Sequence, residues 1–147
     1  EQPRTPITLL SVTTPELQRP YAPGNVVMIQ CEGSREETNP CCSAICCMQA
    51  IKNGIEIIEI NPDANVTILY RDIMTYGFSE DYYTLARDKG VVFVSYRPEV
   101  RPQVEEQDGM LRVTVPDPFM KGDLIIDADL VVLSTAMVPH ENEILNE

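Results

Sequence analysis

The sequence predicts an α/β domain built on a parallel sheet with an added antiparallel hairpin. Three observations predict it. Short apolar, β-branched runs occur at residues 26–30, 66–70, 91–96 and 130–134. Segments with helical spacing of apolar residues separate the first three runs, and beyond residue 96 the texture changes to short strands around an Asp-Gly turn. With 147 residues, 44% hydrophobic and 23% charged, the chain supports one core and is not disordered or repetitive. Its formal charge of -12 would repel a phosphate backbone or an anionic leaflet, so no nucleic acid or membrane partner is expected. No apolar run approaches the roughly 20 residues that span a bilayer. The sequence opens on Glu1 without a Met, so an excised piece of a longer protein is expected.

Residues 1–25 carry Pro3, Pro6, Pro15, Pro20 and Pro23 and read as an extended lead-in. Order is expected from residue 26, where a buried strand delivers Cys31 at its carboxyl end. A polar connection with Gly33 and Pro40 follows, longer than the usual two to six residues of such turns. From Ser43, a plausible N-cap, Ile45, Met48, Ile51, Ile55 and Ile58 mark one apolar helix face, and Pro62 stops that helix at Asn61. The second strand, residues 66–70, precedes a helix begun by Ser79, Glu80 and Asp81 and closed by Gly90. The strand at 91–96 completes a βαβαβ unit, half of a doubly wound sheet with helices expected on both faces. Residues 103–106 and 110–115 flank a hairpin turn at Gln107-Asp108-Gly109, 123–126 add an edge strand, and 130–134 return to a buried type. Residues 140–147 are a polar tail.

All five cysteines fall between Cys31 and Cys47. A disulfide scaffold staples distant segments, whereas a tight local group with vicinal Cys46-Cys47 suits a metal and a reducing, cytoplasmic setting. Cys31 ends a strand, Cys42 precedes the helix, and Cys46 and Cys47 lie in its first turn, where exposed N–H groups favour thiolates. An iron-sulfur cluster leads; zinc, redox-active thiols and inert buried cysteines stay open. A pyridine-nucleotide site is a rival, because Arg71 follows the second strand, but the Gly-x-Gly-x-x-Gly turn is missing. Arg71 is expected to pair with an acid instead. His140, the one histidine, reads as solvated, Tyr76, Tyr82 and Tyr83 as core, and Glu105, Glu106 and Asp108 as a solvated hairpin tip.

The stretch Gln30-Cys31-Glu32-Gly33-Ser34-Arg35, then Cys42-Ser43-Ala44-Ile45-Cys46-Cys47, with Tyr70-Arg71-Asp72-Ile73-Met74 downstream, resembles the cysteine segment of the A-type, iron-sulfur flavoprotein subunit of heterodisulfide reductase. The similarity runs over residues 26–139, and the Cys-x10-Cys-x3-Cys-Cys spacing carries it. The resemblance implies a three-layer, Rossmann-like domain akin to the pyridine-nucleotide domain of thioredoxin reductase. It implies that Cys31, Cys42, Cys46 and Cys47 hold a [4Fe-4S] cluster, with Cys41 as the substitute ligand and Gly33, Ser34, Arg35 and Ser43 around it. The cluster would relay electrons between FAD, bound by the rest of the flavoprotein, and other iron-sulfur subunits of a complex found in anaerobes. The fragment alone is expected neither to catalyse nor to bind flavin well.

Overall fold

The structure, a computed structural model, describes residues 23–107, 109–116 and 122–138. Most of the proline-rich lead-in, Asp108, Pro139, His140 and the polar tail lie outside those residues. The described chain runs β1 (Asn25–Glu32), α1 (Cys46–Ile60), β2 (Asn65–Tyr70), α2 (Ser79–Asp88), β3 (Val92–Ser95), β4 (Gln103–Gln107), β5 (Met110–Pro116), β6 (Asp123–Ala128) and β7 (Leu130–Thr135).

A four-stranded sheet has the order β3-β2-β1-β7, and every pairing in it is parallel. β1 lies centrally, which is why Val26, Val27, Met28 and Ile29 are apolar in succession and all buried. Alternation sends Val26 and Met28 to one side, where they pack with Ala50, Ile51 and Ile55 of α1 and Ala86 of α2. It sends Val27 and Ile29 to the other, against Val113, Val115 and Ala128 of the antiparallel sheet β4-β5-β6. The architecture is therefore three-layered and Rossmann-like: helices, parallel sheet, antiparallel sheet.

One expectation is corrected here. The helices do not cover both faces; α1 and α2 pack against each other on one face. Two successive right-handed crossovers moving in one direction along the sheet place their helices on the same side. The face left bare is buried by β5 and β6 before β7 returns beside β1. The hairpin matches its turn signal, with Gln107 opposite Met110 and Gly109 at φ 80°.

Helix ends follow the sequence at their C-termini and depart from it at their N-termini. α1 stops at Asn61, whose extended φ of -130° precedes Pro62, and α2 closes through Gly90 at φ 97°. Ser43 is not the N-cap of α1. The helix starts later, with Ile45 in the cap position and no side-chain capping bond, because Ala44 sits at φ 61° and breaks the helical path. Ser79 is likewise the first residue of α2, after Phe78, and not its cap.

Candidate metal centre

Residues 33–45, between β1 and α1, lie at the carboxyl end of the parallel sheet, where open α/β sheets place their ligands. β1 carries an irregularity between Ile29 and Glu32 in its pairing with β7, and Cys31 within it adopts φ 64°. Arg35 at φ 58° and Ala44 at φ 61° are also left-handed. Three non-glycine residues in that conformation, all in one short segment, store strain that the surrounding bonds must hold.

Those bonds come mostly from other parts of the chain. Arg71, at the end of β2, is buried and donates through Nη1 to the carbonyls of Ser34 (3.3 Å) and Arg35 (3.1 Å). Its Nη2 lies 3.8 Å from Glu36, which also pairs with Arg101 at 2.8 Å. Arg71 thus pairs with an acid, as its position suggested, and is committed inward. The cleft beside it is lined by Arg35, Arg71 and Arg101 together with Glu36, Glu37 and Glu99, a balanced lining that offers no excess positive charge to a pyrophosphate. Within the segment, Glu36 and Asn39 exchange two backbone hydrogen bonds, and Asn39 Nδ2 donates to the Gly33 carbonyl. From the far side, the Ala136 amide donates to the Glu32 carbonyl and the Met137 amide to Ser43 Oγ. Ser43 therefore anchors the tail of β7 instead of capping a helix.

The expected site residues sit as follows. Cys31 and Cys47 are buried, Cys46 is intermediate, and Cys41 and Cys42 are exposed. The thiol of Cys47 is pushed above its ordinary pKa first by burial, then by Cys31, Cys42 and Cys46, while the Met74 backbone N–H pulls the other way. Among the described residues, however, no three Cys, His, Asp or Glu side chains stand at metal-ligating spacing. The Cys42 sulfur accepts the Ala44 amide at 3.3 Å, and the Cys47 sulfhydryl points to the Asp72 carbonyl at 3.7 Å. Gly33, at φ 69°, would place a Cβ 3.8 Å from that of Ala136, and Ser34 is buried. Arg35 binds Asp72 at 2.6 Å, and this bond, with Cys31 adding to it, holds the guanidinium charged.

Sequence reasoning missed two features. Gln30 is fully buried, and neither polar atom of its side chain has a partner; one polar residue in an apolar strand run gave no signal. The aromatic residues near α2 also divide. Tyr83 packs edge-on against Phe93 as expected of core, but Tyr76 and Tyr82 are exposed, and Phe78 is 93% exposed. With Ile45, Met74, Met137 and Val138 they leave apolar surface at this end of the sheet.

No family profile matches the chain. Individual relatives do. The chain is 44% identical over 128 residues to the A-type subunit of the ferredoxin:CoB-CoM heterodisulfide reductase of Methanosarcina acetivorans, an alignment covering 84% of this chain and 16% of that protein. It is 45% identical over 120 residues to the A-type subunit of the H2/formate:CoB-CoM heterodisulfide, ferredoxin reductase of Methanococcus maripaludis, covering 79% and 18%. This chain is homologous to one segment of the A-type subunit of heterodisulfide reductase. The corresponding iron-sulfur protein of Methanocaldococcus jannaschii agrees, at 40% over 121 residues, with 80% of this chain and 18% of that one covered. The chain therefore spans less than a fifth of the length of these heterodisulfide reductase relatives. In structure it is similar to the L-lysine 6-monooxygenase of Pseudomonas syringae, with a TM-score of 0.56 and 11% identity over 94% of this chain and 44% of that one. That likeness speaks for the Rossmann-like fold alone. Among the described residues no helix is long and apolar enough to cross a membrane.

Proposed function

We propose that this chain is an electron-relay module in which Cys31, Cys42, Cys46 and Cys47 hold a [4Fe-4S] cluster, Cys41 being the spare thiol. The observation that carries this reading is that Cys31 near the end of β1, Cys42 in the connection, and Cys46 with the buried Cys47 at the start of α1 all lie at the sheet's carboxyl end. Bound together as thiolates, four cysteines carry negative charge that a cationic iron core balances. The local donors suit such a group. The first-turn N–H groups of α1 lack a side-chain cap, and the Ala44 and Met74 amides already address sulfur. The unpartnered carboxamide of Gln30 is a further orphan at the same end of β1.

A bound [4Fe-4S] cluster supplies one-electron storage with little nuclear rearrangement. The chain's part is to hold it, to shield it and to set its environment. Arg71 fixes the backbone of Ser34 and Arg35, Ser43 ties the segment to the tail of β7, and Arg35 with Asp72 places balanced charge beside Cys31. The likeness to A-type subunits of heterodisulfide reductase supports reading the module as part of a longer flavoprotein that carries FAD, passing electrons between that flavin and the iron-sulfur subunits of such a complex. The exposed apolar residues Met74, Tyr76, Phe78 and Met137 offer the remainder of that flavoprotein a packing surface at this end of the sheet.

The test is anaerobic purification with iron, sulfide and zinc analysis. About four irons per chain and a broad brown absorbance bleached by dithionite are expected, both lost in Cys46→Ser and Cys47→Ser. One zinc per chain would replace the relay by a structural site. A colourless, metal-free anaerobic preparation would overturn the reading.

A further inference from the structure

We infer that the Gln30 carboxamide is a hydrogen-bond donor to sulfur in the cysteine site and sets the reduction potential there, a positioning role that rests on the cluster reading above. Gln30 is 0% exposed, and both Nε2 and Oε1 lack a partner. A buried polar group that no protein group meets is destabilising, so its persistence points to a partner supplied on loading. Position narrows what that partner is. Gln30 follows Val26 and Met28 on the alternating face of β1 that packs against α1, and it immediately precedes Cys31. At this end of β1 the same helix begins with Cys46 and the buried Cys47. The backbone is fixed there, because the Tyr96 hydroxyl donates to the Gln30 carbonyl at 2.6 Å.

Loading turns the neighbouring thiols, which are donors, into thiolates, which only accept. The carboxamide N–H then gains an acceptor. Reduction by one electron, from dithionite in the test below, adds one negative charge to the site and breaks no bond. An N–H directed at sulfur favours that added charge and raises the potential.

Gln30→Met keeps the volume and removes both polar atoms. The full chain, metal-free and after anaerobic reconstitution with iron and sulfide, is compared in both forms. The metal-free variant is expected to unfold at the wild-type temperature or above, since no bond is lost. The loaded variant is expected to shift about tenfold toward the oxidised form, a midpoint about 59 mV lower for one electron. Gln30→Glu, which replaces the donor by a carboxylate, is expected to lie lower still. A variant that folds but sheds iron faster than wild type also supports the assignment. Unchanged midpoints in both loaded variants overturn it while leaving the cluster reading intact. A metal-free Gln30→Met chain less stable than wild type also overturns it, by showing that Gln30 has a partner in the fold. A wild-type chain that takes up no iron overturns the cluster reading itself, and this inference with it.

Discussion

Arginine organises two regions of this molecule, and the regions differ in what the arginine touches. In the cysteine segment Arg71 is buried and spends two hydrogen bonds on main-chain carbonyls of a strained connection. In the antiparallel sheet Arg112 lies half-exposed opposite Asp127, in register on β5 and β6, and grips both carboxylate oxygens while also reaching Gln107. The second pair has the better ion-pair geometry. The first matters more, because water can replace the contacts of Arg112 and cannot easily replace those of Arg71.

The largest effect that would break this contrast is Arg71→Met. It removes the support of Ser34 and Arg35 together and is expected to lower stability by about 3 kcal/mol in denaturant unfolding. An unchanged transition would show that the segment holds itself. Tyr96→Phe comes next, at about 1 kcal/mol for the lost bond to the Gln30 carbonyl. The Tyr96 pKa is raised by burial. The unfolded chain therefore ionises first, and the contribution of Tyr96 is present below about pH 10 and lost as pH rises through the folded value. The phenylalanine variant should show a shallower alkaline decline. The smallest effect is on the other side of the comparison. The Asp127 pKa is held down by its hydrogen bond to Arg112, so what the pair adds is present above the ordinary carboxylate range and fades as pH falls through the lowered value. Arg112→Met should leave the unfolding midpoint near wild type at neutral pH, and a large loss would sharpen the role of cross-strand pairs in this sheet.

How far the sequence revealed these features depends on whether a residue acts through its neighbours in the chain. The parallel strands were legible because burial on both faces makes 26–29 continuously and 66–69 almost continuously apolar, and the hairpin was legible because Gly109 answers a local backbone need. The placement of Cys31 in β1 and of Cys46 and Cys47 in the first turn of α1 was legible because strand and helix signals flank them in the sequence. The start of α1 was misread at Ser43 because nothing in the composition marks Ala44 as left-handed; distant bonds impose that conformation. The single-sided helices were misread because apolar strand runs report that both faces are covered and not by what. Gln30 and the anchoring role of Arg71 were hidden for the same reason: each is defined by what lies across the sheet.

The pairing of β1 with β7 has a mechanical consequence. Both strands start at the same end, where Asp129 accepts the Gly24 and Asn25 amides, so residue 23 and residue 138 leave the sheet at opposite ends of one ladder. Tension applied between those two points loads the rungs in shear, all at once, instead of peeling them one by one. Pulling on whatever flanks them would load the Met137–Ser43 anchor, and with it the cysteine segment, together with that ladder.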